Sequence, residues 1–197
     1  MSAVLTPPLP AFAGRRFRFT REQYYRLGEL GFFDGKRVER IRGEIVEMSL
    51  KNWPHVVASR KTAEVLERVF TGVGWVSRQD PISLASSDPE PDVAVLAGRM
   101  EDYADHPTTA LLVVEVADTT LFDDTTAMAE VHAEAGIADY WVLDLNGRTL
   151  IVFRDPATLP AGLGATAYRQ RQVLGPADRV SPIAAPTASI LVSDLLP

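Results

Sequence analysis

EPDVAVLAG (Glu90–Gly98), LLVVEVADTT (Leu111–Thr120) and GIADYWVLD (Gly136–Asp144) are the segments on which the fold turns. The runs VAVL after Asp92 and LLVVEV around Glu115 are dense in β-branched residues and bounded by Pro, Gly and polar residues, so both are expected to be strands. Each carries a carboxylate where one is least expected. A buried ionised carboxylate is costly unless it is paired or coordinates a cation. Asp92 opens its strand and Glu115 lies near the end of the next, so antiparallel pairing brings both to one edge of the sheet. The simplest register sets Asp92 opposite Glu115, Val93 opposite Val114 and Leu96 opposite Leu111. Opposed like charges are unfavourable, and one of the two acids is driven towards protonation. A divalent cation with oxygen ligands removes the conflict. So would an arginine partner, or a strand end left in solvent.

Working outward, the whole chain has 197 residues, most simply one domain with a substantial core. It contains no cysteine, which excludes a disulfide framework and a thiolate metal site. The N-terminus lacks a charged-then-apolar leader and no run approaches the length of a membrane span. A cytoplasmic protein without membrane contact is expected. The net charge of −6 gives no general basic footprint, so nucleic-acid binding would need a local patch. Lysine is confined to Lys36, Lys51 and Lys61, with none beyond residue 61.

Residues 1–17 are expected to be a flexible N-terminal arm and 18–197 the folded domain. T-R-E-Q from Thr20 has the form of a capping box, followed by a helix presenting Tyr24, Leu27 and Leu30. VERIRGEIVEMS, with Gly43 in its turn, is expected to be a hairpin. It carries Glu39, Glu44 and Glu47, which on an exposed hairpin face would be solvated. NWPH starts a second helix with Pro54 in its first turn, an apolar stripe of Ala58, Val65, Leu66 and Val69, and His55 as a surface or capping residue. Residues 75–84 are expected to form one or two strands, 85–91 a polar loop delivering Asp92, and 97–109 an exposed connection. A helix is expected over 125–135, closed by Gly136. DYWVLDL and RTLIVFRD should form a hairpin across Asn146-Gly147. Residues 157–167 look like loop, YRQRQVL a half-exposed strand, and ILVSDLLP a strand or final turn. The fold class is α+β, a mixed β-sheet flanked by helices.

No phosphate-cradling glycine loop, G-x-S-x-G elbow or H-E-x-x-H pairing occurs. His55, His106 and His132 stand apart from one another in sequence. What remains is an oxygen-ligand site suited to Mg²⁺ or Mn²⁺, a kind that commonly serves phosphoryl chemistry.

VERIRGEIVEM, NWPHVVAS, EPDVAVL, LLVVEVADTT and EAGIADYWVLD, in this order and spacing, resemble the Uma-type family of restriction endonucleases. That family belongs to the PD-(D/E)XK, restriction-endonuclease-like superfamily. The resemblance extends over roughly residues 18–196. It implies a restriction-endonuclease-like core and hydrolysis of a DNA phosphodiester. It implies that Asp92 and Glu115 ligate the metal ion with the Val116 carbonyl, that Glu39 completes the acidic cluster, and that His55 belongs to the site. A homodimer is a further implication. One departure stands out. The superfamily lysine two residues after the glutamate is Ala117 here. The position on the next helix to which the family displaces it is Met128, with His132 at the family tyrosine. Rescue would need an arginine, His132, or Lys51 or Lys61 reaching across. Two function classes therefore stay open: a metal-dependent endonuclease, impaired by Met128, or an inactive nuclease-fold module binding nucleic acid or a protein. Ordinary ion pairs around the carboxylates, in a structural protein, are the third possibility.

Overall fold

The computed structural model describes residues 16–159 and 166–197. Most of the expected N-terminal arm, and residues 160–165 of the expected loop, lie outside them. The described elements are α1 (Arg21–Glu29), β1 (Val38–Ile41), β2 (Glu44–Glu47), α2 (Trp53–Val69), β3 (Gly74–Ser77), β4 (Val93–Ala97), β5 (Leu112–Ala117), α3 (Leu121–Thr125), α4 (Ala127–Glu134), β6 (Asp139–Asp144), β7 (Thr149–Thr158), β8 (Thr166–Leu174), β9 (Arg179–Val180) and β10 (Ile190–Leu191). Six strands pair in the order β3-β4-β5-β6-β7-β8. All neighbours are antiparallel except β5 and β6. This is the expected α+β class with a mixed sheet. The parallel pair needs a crossover, and α3 and α4 supply it.

Period-two alternation sorts the central strands between two cores. Val93, Val95, Leu112, Val114, Val116, Trp141 and Leu143 pack with Ala58, Leu66 and Phe70 of the α2 region. Ala94, Val113, Ala117, Tyr140 and Val142 pack with Ala129 and Val131 of α4. Burial on both faces explains the unbroken apolar runs in β4, β5 and β6. Each large apolar side chain so buried contributes roughly 1.5–3 kcal/mol. Glu115 lies between Val113 and Ala117 and so shares their face, as Asp92 shares the face of Ala94. The pairing Val93↔Val114 continues, one residue on, to Asp92 opposite Glu115. That is the expected register, and it settles the geometry of the two acids.

The capping box at Thr20 forms, with Gln23 reaching back to the Thr20 N–H. The β1–β2 hairpin turns on Arg42 and Gly43, both at positive φ, the two-residue pattern whose twist matches antiparallel strands. Three expectations are corrected. The single helix over 125–135 is two: α3 begins four residues earlier, and the chain breaks at Thr126. The hydroxyls of Thr125 and Thr126 donate to the Leu121 and Phe122 carbonyls, each at 2.6 Å. Such back-bonding bends and ends helices. The strand expected over 75–84 stops at Ser77, where Gln79 takes a positive φ and Pro81 removes a ladder donor. The Asn146-Gly147 hairpin forms with a four-residue loop in which Arg148, not the glycine, has positive φ.

Candidate active site

At the carboxyl end of β5, where the crossover leaves the sheet, side chains from four segments line an open cleft of about 190 Å³. Glu39 comes from β1, Lys51 and His55 from the start of α2, Asp92 from the entry to β4, and Glu115 from β5. Asp124 and Met128 of the crossover close it.

Asp92 accepts from three donors. Lys51 Nζ lies 2.6 Å from Oδ1. His55 Nε2 lies 3.0 Å from Oδ2, and the Val116 N–H donates to Oδ2 at 2.9 Å. In return the Asp92 N–H donates to Glu115 Oε2 at 3.1 Å. Each acid thus binds the backbone of the other's strand where the regular ladder gives out. Two other buried aspartates show what an ordinary ion pair looks like in this fold. Asp88 is held by Arg21 and Arg40, each at 2.7 Å. Asp139 accepts from Arg154 at 2.9 Å, from Trp141 at 2.8 Å and from the Ile183 N–H at 2.8 Å. Among the described residues neither Asp92 nor Glu115 has an arginine partner.

The electrostatics separate the acids. Burial pushes Asp92 up, but His55 and Lys51 outweigh it and hold its carboxyl below the usual range. Burial, then the charges of Asp92, Asp124 and Glu39, push Glu115 well above its ordinary value. Burial lifts Glu39 to about 7. It lifts Asp124 to about 6, against the hydrogen bond from Thr120. Like charges in one cleft cannot all ionise without a counterion.

The local folding follows from the sequence. Asn52 caps α2 by accepting the His55 N–H at 3.0 Å, and its side-chain amide also donates to Asp118 beyond β5. One residue therefore fixes the helix start, His55 and the neighbouring Lys51 against the end of β5. The hairpin is tied on two sides. Arg40 joins it to Asp88 before β4, and Arg42 joins it to Glu130 and Glu134 of α4 at 3.1 and 2.7 Å. Glu39, on the face opposite Arg40, is thereby held over the cleft.

All five residues singled out from the sequence, Glu39, His55, Asp92, Glu115 and Val116, line this one cleft. Glu39 and His55 are buried, which corrects both the solvated-hairpin and the surface-histidine expectations. The first turn of α2 points inward at Asp92, because Trp53, not His55, occupies the exposed side. Met128 lines the cleft, while Ala117 is buried in the core beneath α4. His132 is also buried, 3.8 Å from Glu115 Oε1, with no hydrogen-bond partner on either ring nitrogen among the described residues. Asp124 lines the cleft too, as do Asp118 and Glu90, and nothing in the sequence order singles out the last two. A carboxylate just past a strand end is the one signal that could have marked Asp118.

Two adjacent carboxylates, one held ionised and the other with raised proton affinity, backed by a main-chain segment, form a hard oxygen donor set that fits Mg²⁺ or Mn²⁺. Among the described residues no three His, Asp or Glu side chains already surround a common point. The Asp92 oxygens accept from Lys51, His55 and Val116 instead, so a cation taken up there competes with these donors.

The chain is matched over residues 21–192 by the model of the Uma2 family, described as "Putative restriction endonuclease". No curated protein matches it. Its structure is similar to a crystal structure of a "putative nuclease belonging to DUF820" from Anabaena variabilis. The TM-score is 0.66 at 16% identity, covering 88% of this chain and 95% of that one. It also matches the type IIG restriction endonuclease BpuSI at 15% identity, over 62% of this chain and 14% of that one. The TM-score there is 0.38, too low to argue from.

Proposed function

The chain belongs to the Uma2 family, and from that premise we propose that the cleft hydrolyses DNA phosphodiesters with a bound Mg²⁺ or Mn²⁺. The observation that carries this is the pair Asp92 and Glu115, opposed on one face of the sheet and without an arginine partner among the described residues. Asp92, Glu115 and the Val116 carbonyl would hold the cation. When bound, the cation would offset charge on the non-bridging phosphate oxygens and lower the pKa of the attacking water. His55 Nε2 keeps the Asp92 carboxylate turned into the cleft. Glu39, whose carboxyl titrates at about 7, is suited to take a proton from the attacking water near neutral pH. The water oxygen bonds to phosphorus, the bond to the leaving oxygen breaks, and one end leaves as a phosphomonoester and the other, protonated from solvent, as a hydroxyl. A homodimer would present one such cleft to each strand, and a cytoplasmic location fits a DNA substrate.

The test is nicking of supercoiled plasmid in Mn²⁺ by the parent protein, Asp92→Ala and Met128→Lys. The parent should nick and Asp92→Ala should lose about two to three decades of rate. Equal cleavage by parent and Asp92→Ala would remove the proposal. Met128 in the cleft wall favours a second reading, a nuclease-fold module that binds without cutting. That reading is supported if Met128→Lys nicks where the parent does not.

A further inference from the structure

A carboxylate cleft that takes up a phosphodiester must meet the anion with positive charge. Six carboxylates, Glu39, Glu90, Asp92, Glu115, Asp118 and Asp124, line it against the permanent cations Arg37 and Lys51. One divalent cation offsets two negative charges, and a phosphate brings a further one. At short range in a partly dry site such repulsion is screened far less than in bulk water. The sheet and the crossover supply no relief, since Ala117 is buried and apolar and Met128 presents a thioether.

Each of the three lysines is accounted for. Lys36 Nζ lies 2.7 Å from Glu47 on the exposed outer hairpin. Lys61 donates to the Leu196 carbonyl near the C-terminus. Lys51 alone of the three lines the cleft, its ammonium 2.6 Å from Asp92 Oδ1. Arg37 is engaged by Glu90 at 3.3 Å, an acid outside the proposed ligand set, so cation binding leaves that pair in place. The partner of Lys51 is the very carboxylate a cation would claim. A cation on Asp92 therefore competes with this ion pair for the carboxylate, and the ammonium stays inside the cleft on a backbone fixed by the Asn52 cap of α2.

We infer that Lys51, delivered by the turn before α2, is the cation this cleft directs at the scissile phosphate. The inference rests on the nuclease reading above and names the group that reading lacks. The ammonium donates hydrogen bonds to a non-bridging oxygen and changes no bond itself.

The experiment compares the parent with Lys51→Met and Lys51→Arg in three measurements: anisotropy of a fluorescent 12-base-pair DNA duplex in Ca²⁺, plasmid nicking in Mn²⁺, and calorimetric Mn²⁺ binding. Lys51→Met should bind the duplex about tenfold more weakly and nick about a hundredfold more slowly, the scale of losing one charged donor aimed at the transition state. It should bind Mn²⁺ at least as tightly as the parent, because a competing cation is gone. Lys51→Arg should recover most of both losses. If Lys51→Met binds duplex and nicks like the parent, the inference is wrong and the nuclease reading stands. If Lys51→Met loses Mn²⁺ binding as well, Lys51 merely holds the site together and the inference is overturned. If the parent nicks no faster than Asp92→Ala, the nuclease reading falls and takes the role of Lys51 with it.

Discussion

Glu39 and His132 show how burial sets the chemistry of single residues in this cleft. Burial raises the Glu39 carboxyl from 4.5 to about 7. The folded protein therefore keeps a proton there that the unfolded chain has released, and the stability this gives is complete below about pH 4.5 and lost as pH rises through about 7. Asp124, raised to about 6, acts in the same direction. In the absence of divalent cation the unfolding temperature should fall between pH 5 and pH 8, and Glu39→Gln should flatten that fall when both proteins are followed by thermal melts. A steeper fall in Glu39→Gln would contradict the burial argument. His132 has the opposite sign. Burial lowers its imidazole from 6.5 to about 3, so the unfolded chain takes up the proton first. Its destabilising share is absent above about pH 6.5 and grows as pH falls towards 3. Its two ring nitrogens lack partners, and an unsatisfied buried polar group costs about 1–3 kcal/mol. His132→Leu is therefore expected to be as stable as the parent at pH 7 or more stable by about 1 kcal/mol, and less acid-sensitive, as read by urea unfolding at pH 5 and 7.

At the scale of elements, the first turn of α2 does the assembling. Asn52 accepts the His55 N–H, and its amide reaches Asp118 across the end of β5. Asn52→Ala should cost about 1 kcal/mol of stability through the lost cap and should reduce Mn²⁺-dependent nicking further than Asn52→Asp, which retains a capping oxygen. Equal activity in the two variants would show that the cap does not place Lys51 and His55. How far each element could be read in advance follows from its physics. The β4–β5 register was legible because both strands are short, apolar and bounded, and because a one-residue slip would turn every side chain to the other face. The start of α2 at NWPH was legible from Pro54. The break at Thr126 was not, because it depends on threonine hydroxyls turning back on the preceding carbonyls, a choice that helical periodicity does not record. Nor was the burial of Glu39 or the contact of Lys51 with Asp92. The first needs the hairpin to be clamped by Arg40 and Arg42, contacts between segments about 50 and 90 residues apart, and the second joins residues 41 apart, separations across which a linear sequence gives no sign. The order of motifs could name the acids, but not how many further carboxylates would join them.

On the scale of the whole molecule, the net charge is −6, and at one cleft six acids face two permanent cations. No described helix is long and apolar enough to cross a membrane. The cleft is thus expected to behave as a cation site first and a nucleic-acid site second. Mn²⁺ at about 100 times its dissociation constant should stabilise the folded state by about 2.7 kcal/mol, raising the unfolding temperature of the parent but not that of Asp92→Asn. Duplex binding should weaken with salt as phosphate contacts exchange for counterions. The most direct measurement is a calorimetric titration of Mn²⁺ at pH 7.5 into the parent, Asp92→Asn and Glu115→Gln. Uptake of one ion per chain by the parent, with affinity lowered at least tenfold in each variant, is the predicted result. No uptake by the parent, or equal affinity in all three, would contradict it.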